Sequence, residues 1–459
     1  MARSPISIAA LVGAGIIAAS GGGGPPATGI TRALSPTNWM AGAVLASASS
    51  RTKTCGNWPV YIGSGDARKV RVLVENFAVG TANIQLPGNT FTYDEMYLVS
   101  DATGQAVPVL FGGSPSRTLA DGEAFVFSDP ILPSAFGLSK FTRDSKFYIR
   151  YGGGVPANGN KWCKHNFSPA YAQFGMYSHI YDPAVTTITN INGSGAFTYT
   201  GTAPTNDRFM SVKLVGEFVS GDPLTYGGIG DSIMQNVGDM SGSNITQVAA
   251  GFFTRALWSV IGVSGARGGI NFGMNAGLSG LWTTAAATLN QYLALCNTFI
   301  EEYGTNNFPT QGAANTGSVT FQVNAVTAVW AQILANAPVA GGQPIRLGRT
   351  KLGPRTTGAW ALADGSDQSV WGPMWDAGGD VDLFMDTLAA KVGTPNSPQT
   401  LINLDSAWRI GQTKGQASYY KWQQAGTTDG THPAPATAEA MAVITRSWMA
   451  AREAEALAA

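Results

Sequence analysis

Leu224-Thr225-Tyr226-Gly227-Gly228-Ile229-Gly230-Asp231-Ser232-Ile233 is the stretch on which the reading of this chain turns. Residues 224–229 have the short apolar texture of a buried strand, and they run straight into a glycine turn that carries a carboxylate and a hydroxyl. Downstream of this turn, helix and strand patterns alternate. Ile245–Trp258 has helical spacing, Trp258–Val263 reads as a strand, Ala285–Asn297 as a helix and Thr298–Tyr303 as a strand. Val319–Leu334 then reads as a helix, Pro344–Leu352 as a strand, Val381–Val392 as a helix, Thr400–Leu404 as a short strand and Ala436–Ala459 as a closing helix. Strand and helix in alternation predict a parallel, flavodoxin-like sheet with helices on both faces, a three-layer α/β/α unit over residues 221–459. Functional loops in such a sheet sit at the C-terminal ends of the strands. Gly230-Asp231-Ser232 and Gly304-Thr305-Asn306 fall there, and Asp429-Gly430-Thr431-His432 joins them if it comes after the last strand.

Upstream the texture is different. Val70–Phe77 alternates as a strand, and further strand candidates occur at Glu95–Val99, Ala106–Phe111, Ala124–Ser128, Phe147–Tyr151, Gly195–Thr200 and Met210–Phe218. Turn residues separate them, as at Pro87-Gly88-Asn89 and Asp121-Gly122. Short strands at this spacing predict an all-β, jelly-roll-like sandwich over residues 66–220. Residues 1–65 read as an arm or linker. They begin with Arg3, an apolar run from Ile6 to Ala19 and a small-residue Ala18-Ala19-Ser20, which suits either a secretory signal or the arm of a protein carried in a virus particle. The run is too short and too rich in glycine for a membrane span.

Composition narrows the partners. Among 459 residues only 12% are charged and the formal net charge is zero, so neither a disordered chain nor a nucleic-acid-binding surface is expected. The three cysteines lack the spacing of a zinc site, and three histidines are too few and too scattered for one. Neither metal nor cofactor is therefore expected. Cys55 and Cys163 could pair in an oxidising compartment or remain separate thiols, and Cys296 reads as a buried small hydrophobe.

The chemistry rests on scarcity. A serine nucleophile needs a base within hydrogen-bond reach, and the base needs an orienting acceptor. His165 and His179 belong to the strand-rich half, so His432 is the candidate base for Ser232, with Asp429 three residues before it. Asn275-Ala276-Gly277-Leu278-Ser279-Gly280 offers backbone N–H donors in a glycine turn, where Gly277 and Gly280 both qualify, and Asn306 offers a side-chain amide. An oxyanion needs preorganised donors of this kind. No Gly-x-x-x-x-Gly-Lys run is present and no Gly-x-Ser-x-Gly surrounds Ser232, which disfavours a phosphate-binding loop and an α/β-hydrolase elbow.

These four segments, in this order, resemble the blocks of the SGNH hydrolases, the GDSL esterase family. The resemblance implies that Ser232 is the nucleophile, that His432 is general base and then acid, and that Asp429 orients it. It implies an oxyanion hole made by the N–H groups of Ser232 and Gly280 and by the Asn306 amide. The family often has Asp after the third-block asparagine; Asn307 stands here. The resemblance covers residues 221–459, and a softer likeness extends to the β-sandwich that precedes the catalytic unit in some secreted members. A carboxylic ester is the implied substrate. The strand-rich unit and the aromatic loops (Trp360, Trp371, Trp375, Trp408, Tyr419, Tyr420, Trp422) favour O-acetyl groups on a polysaccharide and an extracellular or virion-associated setting. A lipid or aryl ester is the alternative substrate. A carbohydrate-binding structural protein on a hydrolase-like scaffold is the alternative class.

Overall fold

The computed structural model describes residues 29–46, 50–80, 83–164, 177–206, 211–235, 239, 251–274, 276–308, 319–337 and 345–458. The signal-like run, His165, Asn275 and residues 245–250 lie outside them.

Six parallel strands form the sheet that positions the site: β1 (Asn38–Trp39), β2 (Tyr226–Ile229), β3 (Gly269–Asn271), β4 (Thr298–Glu301), β5 (Arg346–Thr350) and β6 (Thr400–Ile402). Their order is β1-β3-β2-β4-β5-β6, and every neighbouring pair is parallel. From β2 onward this is the doubly wound order, in which the chain leaves β2 for one side and returns on the other. In open sheets of this kind that reversal, beyond the C-terminal ends of β2 and β4, is where ligands bind.

The helices are α1 (Phe252–Ala256), α2 (Leu281–Thr284), α3 (Ala286–Leu293), α4 (Val319–Asn336), α5 (Asp380–Lys391), α6 (Asp405–Trp408) and α7 (Pro435–Ala458). They lie on both faces, as the alternation of β4 shows. Phe299 packs in one cluster with Leu289 of α3, Trp330 of α4 and Phe384 of α5. Its neighbour Ile300 packs in the other, with Phe253 of α1 and Met441 and Met449 of α7. Adjacent strand residues point to opposite faces, so both faces of this strand are dry, and its four residues are all buried.

Two expectations need correction here. Trp258–Val263 is not a strand. Val260 and Ser264 close an isolated bridge, and Val260 and Val263 are 54% and 68% exposed. The strand of that crossover is β3, whose three residues are too few to show a period. Residues 29–65 are also not a free arm. β1 adds to the edge of the parallel sheet, Arg32–Ala33 pairs with Val212–Phe218, and Lys53–Tyr61 lies between two partners in an antiparallel sheet. Lys53–Tyr61 is buried along almost its whole length without alternating polarity, which is why it escaped a period-two search.

The antiparallel part comprises a four-stranded sheet containing Ala67–Val74 and Val212–Phe218, and a seven-stranded sheet built on Phe91–Ser100, Lys146–Gly154 and Lys53–Tyr61. Val70, Val72 and Leu214 of the first share a core with Val60, Leu98 and Ile149 of the second. Glu75 ties this part to the parallel unit. It pairs with Lys213 at 2.7 Å, both side chains fully buried, and accepts a 2.7 Å hydrogen bond from the Tyr292 hydroxyl of α3. All three cysteines are free and buried. Cys55 packs with Ile191 and Phe197, Cys163 with Ala41 and Ala78, so the Cys55–Cys163 pairing does not form.

Candidate active site

Ser232 stands just past the end of β2. Asp231 shapes the turn that carries it: one carboxylate oxygen accepts the Ile233 N–H at 3.0 Å, an Asx-type closure that bends the chain sharply. The Asp231 N–H in turn donates to the Glu302 carboxylate at 3.2 Å. The segment after β3 presses on the same turn, with Met274 N–H donating to the Gly230 carbonyl at 3.1 Å. Ser232 is left only 2% exposed on a turn braced from two sides.

The loop carrying His432 reaches Ser232 from 200 residues away in sequence. Asp429 organises it. One carboxylate oxygen accepts the backbone N–H groups of Thr431 and His432 at 2.9 and 2.8 Å, and the other lies 2.6 Å from the imidazole Nδ1. The imidazole Nε2 lies 2.8 Å from Ser232 Oγ. A carboxylate can only accept, so Nδ1 carries the proton and Nε2 is free to accept from the serine hydroxyl. Burial pulls the Asp429 carboxyl upward. The hydrogen bonds from the His432 ring and backbone, the imidazole charge and the Thr431 N–H outweigh that and hold it well below the usual carboxylate range. It is therefore ionised at neutral pH.

Gly430 makes this loop possible. Its φ is +77°, and its carbonyl accepts the Thr356 N–H at 2.9 Å and the Trp422 indole N–H at 3.0 Å. A Cβ there would sit 1.7 Å from the Thr356 carbonyl oxygen, so only glycine fits.

The two donor loops are stitched to each other. The Asn306 amide donates to the Gly277 carbonyl at 3.4 Å. The Asn307 amide donates to Ser279 Oγ at 2.8 Å and its oxygen accepts the Ser279 N–H at 3.4 Å. Asn307, the departure from the family pattern, thus brackets the residue before Gly280. Gly280 enters α2 in ordinary helical geometry, and the N–H groups of Ser232 and Gly280 have no acceptor among the described residues.

Sequence reasoning missed the layer beneath Ser232. Glu302 and Asp231 are fully buried, and Asp231 Oδ2, Glu302 Oε1 and Thr305 Oγ1 have no hydrogen-bond partner among the described residues. Burial pushes Asp231 up to about 6, against the Ile233 N–H, Glu302, His432 and Thr305, which all favour its charge. Burial, and then the charge of Asp231, hold Glu302 well above the usual range. Both carboxyls beneath Ser232 are thus shifted toward their protonated forms. The signal was present in Glu301-Glu302, two acids at the end of a buried strand. Glu301 has its own partners: Arg349, the Trp330 indole N–H at 2.9 Å and the Tyr303 N–H at 2.6 Å.

The aromatic loops divide. Trp375, Trp408, Tyr419, Tyr420 and Trp422 are buried and pack the insertion against the sheet, whereas Trp360 and Trp371 are half-buried. Most of the supposed glycan-stacking surface is therefore core. Among the described residues, no group of three His, Cys, Asp or Glu side chains is arranged to hold a metal, and no helix is long and apolar enough to cross a membrane.

No family model matches the chain, and no curated protein matches it. Solved structures similar to it include a carbohydrate esterase family 2 enzyme plus carbohydrate binding domain from Corynascus thermopiles, 15% identical over 92% of this chain and 98% of that one, with a TM-score of 0.34. A carbohydrate acetylesterase from Sinorhizobium meliloti is 14% identical over 50% of this chain and 99% of its own, with a TM-score of 0.32. An acetylxylan esterase from Geobacillus stearothermophilus is 11% identical over 50% of this chain and 95% of its own, with a TM-score of 0.32.

Proposed function

We propose that this chain is a serine esterase of the SGNH type that cleaves carboxylic esters through an acyl-enzyme. The observation that carries the reading is the relay of 2.8 Å from Ser232 Oγ to His432 Nε2 and 2.6 Å from Nδ1 to Asp429. In the first half-reaction Ser232 Oγ attacks the ester carbonyl while its proton passes to His432 Nε2. The negative oxygen that forms is received by the N–H groups of Ser232 and Gly280 and by the Asn306 amide, each such donor typically lowering the barrier by about 3–4 kcal/mol. Collapse breaks the ester bond, and His432 returns the proton to the leaving alcohol. Water then gives its proton to His432, attacks the acyl-serine and releases the acid.

For substrate we favour O-acetyl groups on a polysaccharide, in an extracellular or virion-associated setting. The half-buried Trp360 indole flanks the His432 loop, since its Nε1 donates to Thr356 Oγ1 at 2.9 Å and Thr356 pairs with Gly430. The two antiparallel sheets, which share one core, suit a jelly-roll-like sandwich able to hold a glycan beside the cleft.

The test is acetate release from acetylated oligosaccharides and from 4-nitrophenyl acetate. Ser232→Ala should lower kcat by about 10⁴–10⁶-fold with unchanged folding. A fluorophosphonate probe should label the native chain and not the alanine variant. Equal activity in the variant would refute the nucleophile, and a folded native chain that neither reacts nor is labelled would favour a binding scaffold.

A further inference from the structure

The site holds a cation that the esterase reading does not use. Arg355 lies on the strand-like segment that meets the catalytic loop, one residue before the Thr356 N–H that bonds to Gly430. Its guanidinium reaches the other way, and one terminal nitrogen approaches the Phe308 carbonyl at 3.5 Å, just past Asn306 and Asn307. Arg355 thus spans from the loop of Asp429 and His432 to the loop of the Asn306 amide. Burial works against its charge, and the carboxylates of Asp231 and Asp429 favour it.

Its partners are unusual for an arginine in such a place. The guanidinium lies 4.6 Å from the Trp371 ring centre and 5.8 Å from that of Trp375. The Trp371 backbone N–H donates to the Arg355 carbonyl at 2.9 Å, which holds the two residues side by side. Yet Nε is buried with no hydrogen-bond partner, and among the described residues no carboxylate forms an ion pair with Arg355. Desolvating a guanidinium without pairing it is unfavourable. Indole faces orient it but satisfy none of its in-plane N–H donors. Three buried arginines each pair with a carboxylate: Arg349 with Glu301, Arg409 with Asp405, Arg32 with Asp222. A planar donor set held rigid, half-buried and unpaired at a cleft suits a planar anion that arrives with the substrate.

We propose that Arg355, backed by Trp371 and Trp375, is a subsite for a carboxylate on the ester substrate, so that acidic esters are preferred over neutral ones. The carboxylate comes either from a uronate residue of an acetylated glycan or from the acyl chain of a dicarboxylic half-ester. The inference rests on the esterase reading and names its substrate class.

The test compares three esters in one assay: an acetylated galacturonate oligosaccharide, 4-nitrophenyl hemisuccinate, and a neutral acetylated xylo-oligosaccharide. Arg355→Met should lower kcat/KM by about 10–100-fold on at least one acidic ester, mainly through KM, and by less than about threefold on the neutral one. The arm that falls identifies which side of the ester carries the charge. Arg355→Lys should recover part of the loss, and added salt should weaken the preference of the native chain. Retained activity on the neutral ester shows that the methionine variant is folded. If it instead loses all three activities, Arg355→Gln and Arg355→Lys decide, and an equal loss on acidic and neutral esters in those variants overturns the proposal. Equal kcat/KM of the native chain on all three esters also overturns it, and leaves the esterase reading standing. A native chain that cleaves none of them and takes no fluorophosphonate label refutes both.

Discussion

Replacing Gly430 by alanine adds one methyl group at a position two residues from the imidazole, and its effect can be worked from the geometry. The new Cβ would lie 1.7 Å from the Thr356 carbonyl oxygen, where real contacts stay beyond 3.0 Å, so something must move by at least the 1.3 Å difference. The obstacle is backbone on both sides, and a rotamer change cannot relieve it. The φ of +77° adds a left-handed strain of about 1–2 kcal/mol for a non-glycine residue. Separating the two segments also loosens the hydrogen bonds that Thr356 and Trp422 donate to the Gly430 carbonyl, each worth about 1 kcal/mol. The local destabilisation is therefore about 3 kcal/mol. The catalytic consequence is larger, because Nε2 begins 2.8 Å from Ser232 Oγ and a displacement near 1 Å takes it out of proton-transfer range, at about 10²-fold in rate. The assay is kcat on 4-nitrophenyl acetate alongside a thermal melt. Gly280→Ala is the matched control for stability, since its φ is −61° and a Cβ there meets nothing within 4 Å. It should melt no lower than the parent. If Gly430→Ala keeps kcat within threefold and melts with the parent, the account of how this loop is held is wrong.

The buried groups give two further outcomes. Asp231 is raised to about 6 from 3.8, so the folded state binds its proton more tightly than the unfolded chain does. The sign is a stability complete below pH 3.8 and lost as pH rises to about 6. Urea midpoints of Asp231→Asn should not show this decline, and a variant with the parent's slope across that window would refute the assignment. Burial pushes the Cys55 and Cys296 thiols up to about 12, and Cys163 higher still. A thiol reagent should therefore find none of the three cysteines in the native chain and all of them after unfolding without reductant. Fewer than three would reveal a disulfide.

Order along the chain and residue scarcity carried much of the reading. Strand and helix alternated clearly from Thr298 to Ala458 because each segment buries an apolar face with its own period, and Ser232, Asn306 and His432 could be assigned to strand-end loops from that alternation. Short or uniformly buried strands had no such signature. β3 is three residues long, and Lys53–Tyr61 hides both faces, so neither shows the alternation that exposes a strand.

The sequence by itself pointed to the parallel α/β unit and singled out Ser232, His432 and Asp429, which the fold brings within hydrogen-bond reach of one another, since these come from local patterning and from a base that has few rivals. Only the tertiary structure decided what stands around them. Folding brought Glu302 under Asp231, set Arg355 between two loops, turned five of seven loop aromatics into core, and spread residues 29–65 over both units. Such placements depend on contacts between residues tens to hundreds of positions apart. Burial, charge and hydrogen-bond satisfaction belong to those contacts, and no local pattern along the chain encodes them.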